Sequence, residues 1–153
     1  MYPVPDRSAR ILLVEDNSGD EFLFVDAFER SGTSHSLEIV RDGEEALDRL
    51  GALGAFIDCD APDLVLLDLN LPKIDGREVL RRVKADTRLK SIPVLILSTS
   101  SSESDVITCY ADHANAYLTK PYDPGRYEEV IAAIDAFWCS AATLPGPPPV
   151  ARP

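Results

Sequence analysis

Four short apolar runs in this chain each end in a side chain that can do chemistry. Leu64-Val65-Leu66-Leu67 ends in Asp68, with Asn70 and Pro72 close behind. Ile11-Leu12-Leu13-Val14 ends in Glu15-Asp16, Ala116-Tyr117-Leu118-Thr119 ends in Lys120-Pro121, and Pro93-Val94-Leu95-Ile96-Leu97 ends in Ser98. Buried strands that present polar groups at their carboxyl ends are how an open α/β sheet builds a site. A single crest would then collect Glu15, Asp16, Asp68, Ser98 and Lys120. Three carboxylates brought together repel one another and stay ionised only beside a cation. Hard oxygen ligands suit Mg2+, which takes one or two carboxylates, keeps several waters and accepts phosphate oxygens. Lys120 is a compact charge that pairs with Asp68 or with an added anion. Together these groups point to in-line phosphoryl transfer. Asp68 would be the nucleophile, with the metal, Lys120 and Ser98 neutralising the phosphoryl oxygens.

The segments between the runs carry helical periodicity, so strands and helices alternate as in a βαβ fold. Strands are expected at 11–15, 36–40, 63–68, 93–97 and 116–119. The first helix spans about 19–31, capped by Asn17 or Ser18 and ended by Gly32. The second opens at Asp42-Gly43 and spans 43–50, and a longer loop follows from Gly51 to Pro62. A third helix spans 76–85. Ser102-Glu103-Ser104-Asp105 reads as a capping box with Asp in place of Glu, starting a helix that runs to about 112. Tyr127, Val130, Ile131, Ile134 and Trp138 stripe the last helix. The expectation is a doubly wound, five-stranded parallel sheet with five helices. Residues 1–8 form an N-terminal extension, 9–140 one domain and 141–153 a proline-rich arm, with five prolines between Leu144 and Pro153.

Length and charge bound the function. A chain of 153 residues suits one domain with its own core. Its net charge of -11, from 15 basic and 26 acidic residues, argues against a nucleic-acid surface or docking to anionic lipid. Cys59, Cys109 and Cys139 are odd in number and form no CxxC pair, so they read as small hydrophobes in a reducing compartment. Pro3 and Pro5 interrupt the start, where no signal peptide is legible, and no run approaches the roughly 18 apolar residues of a membrane span. A cytoplasmic protein is expected.

The motifs taken together resemble the receiver domain of two-component response regulators, over about residues 9–138. Val14-Glu15-Asp16-Asn17, Leu67-Asp68-Leu69-Asn70-Leu71-Pro72, Gly76, Leu97-Ser98-Thr99 and Lys120-Pro121 fall at that family's order and spacing. The resemblance implies a flavodoxin-like fold in which Asp68 accepts a phosphoryl group from a histidine kinase. It implies a metal shell of Glu15, Asp16, Asp68 and the Asn70 carbonyl, with Mg2+ as the ion. It makes Ser98 the switch hydroxyl, Tyr117 the aromatic that turns with it, and Lys120-Pro121 a cis bond. The runs Asp68–Pro72, Gly76–Leu80, Ser98–Ser102 and Phe137-Trp138 are also similar to stand-alone regulators paired with phytochrome-type kinases. One departure stands out. The family carries Gly-Ala seven residues before the lysine, and here His113-Ala114 stands there, so an altered turn after the fourth helix is expected.

Two other classes compete. A phosphoaspartate hydrolase needs a general acid two residues after its nucleophile, where this chain has Asn70. A flavodoxin-like FMN protein could use Ser98–Ser102 as a phosphate cradle, but such proteins place that loop after the first strand, where this chain has acids. Neither GxxxxGK[ST] nor GxGxxG occurs. The reading is therefore a signalling protein rather than an enzyme, one that assists its own phosphorylation and dephosphorylation. The last helix is apolar beyond the face needed to cover a sheet, with Ala133, Ala136 and Phe137 widening its stripe. A two-fold homodimer through Phe137, Trp138 and the arm is expected.

Overall fold

A computed structural model of the chain describes residues 8–51 and 61–145. Cys59, most of the Gly51–Pro62 loop, the segment before Ser8 and the arm beyond Pro145 lie outside the described residues. Five strands form one parallel sheet: β1 (Arg10–Val14), β2 (Ser36–Val40), β3 (Leu64–Leu67), β4 (Val94–Ser98) and β5 (Ala116–Thr119). The helices are α1 (Ser18–Arg30), α2 (Gly43–Gly51), α3 (Gly76–Ala85), α4 (Glu103–Ala111) and α5 (Tyr127–Ala136). Strand order is β2-β1-β3-β4-β5. The order reverses at β1, and β1 and β3 lie side by side with Val14 opposite Leu67. That register brings Glu15, Asp16 and Asp68 level with one another just past the strand ends.

The two faces of the sheet explain the near-continuous apolar character of β1, β3 and β4. Ile11, Leu13, Leu64, Leu66, Leu95 and Leu97 pack against Phe24 and Ala27 of α1 and Tyr127, Ile131 and Ile134 of α5. The alternate residues Leu12, Val14, Val65, Leu67, Val94 and Ile96 pack against α2, α3 and α4 through Leu50, Leu80, Val83 and Cys109. Strands buried on both faces need apolar residues at every position, and the period-2 signal disappears.

Local chemistry fixes the helix starts. Asn17 caps α1, its side chain accepting the Asp20 backbone N–H at 2.9 Å. Asp75 caps α3 through the Arg77 N–H at 2.8 Å. Gly76 permits a contact no other residue could make, because a Cβ there would collide with the carbonyl oxygen of Asp68. The start of α3 is thereby pressed against the loop that leaves β3.

Three expectations change. All described peptide bonds are trans, Lys120–Pro121 included, the isomer favoured at X–Pro by about 0.5–1 kcal/mol. The turn after α4 is not altered. His113 takes the left-handed conformation itself, at φ 71°, and its N–H reaches Tyr110 O at 3.0 Å. Histidine is among the residues enriched there. The last helix also does not stay α-helical to its end. It passes into a π-turn over Phe137–Ala141, closed by the Ala142 N–H on Phe137 O at 2.7 Å. Phe137 points outward and is 56% exposed, while Trp138 and Cys139 pack partly against the α1/α5 layer.

Candidate functional site

The carboxyl ends of β1, β3, β4 and β5 meet at one crest. Its centre is Lys120, only 5% exposed. The Lys120 Nζ lies 2.6 Å from Glu15 Oε2, 2.9 Å from Asp68 Oδ2 and 2.9 Å from Asp20 Oδ2. Burial opposes the charge on this ammonium, but bonds to Glu15, Asp20 and Asp68 outweigh it and hold its pKa above the ordinary lysine range. Glu15 is buried beside it. Desolvation, aided by the charge of Asp68 and opposed by Lys120 and the Asn17 N–H, pushes its pKa up to about 7.

Oxygens of Glu15, Asp16 and Asp68 lie within 4.8 Å of one another, with Asp16 exposed and the other two buried. Hard carboxylate donors in this number fit a Mg2+- or Mn2+-type cation. The Asn70 backbone N–H donates to Asp68 Oδ1 at 3.2 Å. The turn after β3 thus steers the carboxylate with its own backbone.

Ser98 is fully buried at the end of β4, and its Oγ accepts the Ser100 N–H at 3.2 Å. The Lys120 N–H donates to Ser98 O at 2.7 Å, so the two strand ends are tied together. Tyr117 stands apart from the acids. Its hydroxyl donates to the Ser100 carbonyl at 2.8 Å, holding the ring over the loop after β4. Five of the expected site residues therefore converge at the crest, Asn70 borders it, and Tyr117 reaches it through Ser100.

Asp20 joins the site from the first turn of α1, three residues after the capping Asn17, where an acid in the sequence signals no more than a partner for the helix dipole. A second cluster of ligating groups, His35, Asp135 and Cys139, lies between the start of β2 and α5. The Ala9 N–H donates to His35 Nδ1 at 2.9 Å, which makes Nε2 the protonated nitrogen. Nε2 then donates to Asp135 Oδ1 at 2.7 Å. Both ring nitrogens are committed, and the group is a structural tie rather than a metal centre.

Residues 11–132 match the response regulator receiver domain family. The chain belongs to that family. Response regulator Rcp1 of Synechocystis sp. is 44% identical over 135 residues, which is 88% of this chain and 92% of that protein. The phosphorylated cyanobacterial phytochrome response regulator RcpA superposes with a TM-score of 0.84 at 45% identity, covering 92% of this chain and 100% of RcpA. The Mn2+-bound form of Rcp1 gives a TM-score of 0.81 at 43% identity, with 90% and 99% covered. This receiver is thus a two-component signalling protein, similar to regulators of phytochrome systems. The flavin alternative has no support. The Ser100 hydroxyl is committed to Asp105 Oδ2 at 2.7 Å, and Ser102 Oγ accepts the Asp105 N–H. Among the described residues no helix is long and apolar enough to cross a membrane.

Proposed function

We propose that Asp68 receives a phosphoryl group from the phosphohistidine of a histidine kinase. The observation that carries this is the Lys120 ammonium 2.9 Å from Asp68 Oδ2, inside a cluster of further carboxylates. A carboxylate oxygen of Asp68 bonds to phosphorus as the phosphorus–nitrogen bond of the donor breaks. The imidazole nitrogen leaves with the electron pair. Lys120 leaves its carboxylate partners in part and follows the incoming phosphoryl oxygens, a charge-assisted contact. Ser98 donates its hydroxyl to another of those oxygens, and Tyr117 turns in as the loop after β4 moves.

Glu15, Asp16, Asp68 and the Asn70 carbonyl would hold Mg2+. When bound, the ion offsets the charge that builds up on the phosphoryl oxygens. The same groups assist hydrolysis of the acyl phosphate, so the chain resets itself without being an enzyme toward other substrates. The kinase is of the phytochrome type, by analogy with RcpA. The working unit spans residues 9–140, flanked by an extension and an arm, and acts in the cytoplasm as a homodimer through Phe137, Trp138 and the arm. Phe137 supports the dimer because its ring is exposed next to the exposed Ala133 and Ala136.

Acetyl phosphate with Mg2+ should add one phosphoryl group to the wild-type chain, seen by intact mass. Asp68→Asn should take up none. Equal uptake by that variant would move the acceptor elsewhere.

A further inference from the structure

The capping box expected at the start of α4 forms only in part. Ser102 Oγ accepts the Asp105 N–H at 3.1 Å, as a cap should. The return bond is missing. The Ser102 N–H goes instead to Ser100 Oγ at 3.3 Å, and the Asp105 carboxylate turns away from its own helix start. Its Oδ2 accepts the Ser100 hydroxyl at 2.7 Å, and its Oδ1 accepts Arg77 Nη2 at 2.8 Å. The Ser100 hydroxyl and Arg77 together hold the Asp105 carboxyl below the usual carboxylate range.

Ser100 is therefore a hub. Its N–H bonds Ser98 Oγ, its carbonyl bonds the Tyr117 hydroxyl, and its own hydroxyl bonds Asp105. Both residues of the switch meet at one amino acid, and that amino acid is tied to an ion pair between α3 and α4. Arg77 is anchored in turn. It follows Gly76, which is packed on the Asp68 carbonyl, and its Nη1 also lies 3.3 Å from Asp75. The ion pair thus joins the loop after Asp68 to the loop after Ser98 by a route that passes through neither the phosphoryl site nor Lys120.

We propose that Arg77 and Asp105 are positioning residues for the phosphorylation switch: through Ser100 they latch the Ser98–Ser102 loop in its resting arrangement. This rests on the reading of Ser98 and Tyr117 given above. Moving Ser98 toward a phosphoryl oxygen takes the acceptor from the Ser100 N–H, and shifting Ser100 releases Tyr117. A hydroxyl fastened to Asp105 resists both movements. The latch raises the free energy of the switched arrangement relative to the resting one, so its loss shifts the population before any phosphate arrives.

The test uses the full chain labelled with 3-fluorotyrosine, the Tyr117 resonance being assigned with Tyr117→Phe. Phosphorylation with acetyl phosphate and Mg2+ should move that resonance in the wild type. Arg77→Gln and Asp105→Asn, without phosphate, should move it part of the way to the same position. Both should also take up phosphate from acetyl phosphate about five-fold faster, the factor equivalent to ~1 kcal/mol. Arg77→Lys keeps the cation and should stay near wild type. A simple loss of packing would broaden the resonance or move it elsewhere, and would not speed uptake. A wild type that responds to phosphate while both variants stay at the resting position, or take up phosphate no faster, overturns the latch alone. A wild-type Tyr117 resonance unmoved by phosphate overturns the switch reading, and the latch with it. Asp105→Asn covers the case in which Arg77→Gln fails to fold.

Discussion

Lys120 is shared by Glu15, Asp20 and Asp68, and Asp16 adds a fourth carboxylate at the rim. One ammonium cannot balance that much negative charge, and the imbalance falls on the most buried acid. Glu15 has its pKa lifted from the ordinary 4.5 to about 7, first by desolvation. A carboxyl raised in the folded state contributes stability that is fully present below its unfolded pKa and is lost as pH rises through the folded one. Without divalent cations, stability should therefore fall as pH climbs from about 4.5 through 7. Urea denaturation in EDTA at pH 5.5 and 7.5 should show a steeper loss in wild type than in Glu15→Gln. The difference should be on the order of 2 kcal/mol. Identical slopes would mean that Lys120 already satisfies Glu15 and that burial costs it little. The residues of the crest were legible because each ends an apolar run. Asp20 and Asp105 were not, since an acid in the first turn of a helix reads as a cap or dipole partner whatever it touches. Only the fold reveals that one reaches Lys120 and the other Ser100.

Elements were more legible than their edges. β2, α3 and β5 fall where their patterns end, while β1, β3 and β4 differ by a residue because ladder bonding, not hydrophobicity, decides where a strand stops. The turn after α4 was misjudged for a simple reason. A glycine signature marks where a positive φ is easy, but a missing glycine does not move the chain elsewhere when both neighbours are fixed. Here Ala114 is buried with its N–H on Cys109 O, and the Asn115 side chain accepts the Val94 N–H at 2.9 Å. Exposed His113 bears the strain between them, at φ 71°. His113→Gly should relieve it and stabilise the chain by on the order of 1 kcal/mol. That corresponds to a thermal midpoint higher by about 2–4 °C, with phosphate uptake unchanged. A lower midpoint would show that the extra freedom of glycine in the unfolded chain outweighs the relief.

At the scale of the whole molecule, the fold leaves several apolar side chains on the surface. Ile107 and Tyr110 of α4 are exposed, and so is Phe137 after α5. The dimer proposed above should therefore respond to Phe137→Asp, which removes an exposed ring whose own packing is an edge contact with Trp138. Light scattering at micromolar concentration should give a dimer for wild type and a monomer for Phe137→Asp. A wild-type monomer rules the assembly out, and a dimer indifferent to the change puts the contact on another face. Trp138 is the poorer probe, because its ring also packs on the α1/α5 layer. The π-turn that holds both of these neighbours has a bearing on genealogy. Its closing ring holds one residue more than an α-helical turn, so Phe137–Ala141 behaves as a silent insertion. Pairing residues 142–145 by count alone with those of a relative without such a turn would then match the wrong side chains. A one-residue deletion inside the turn should therefore be absorbed, the wider turn closing into an ordinary α-helical one with Ala142 kept near its present place.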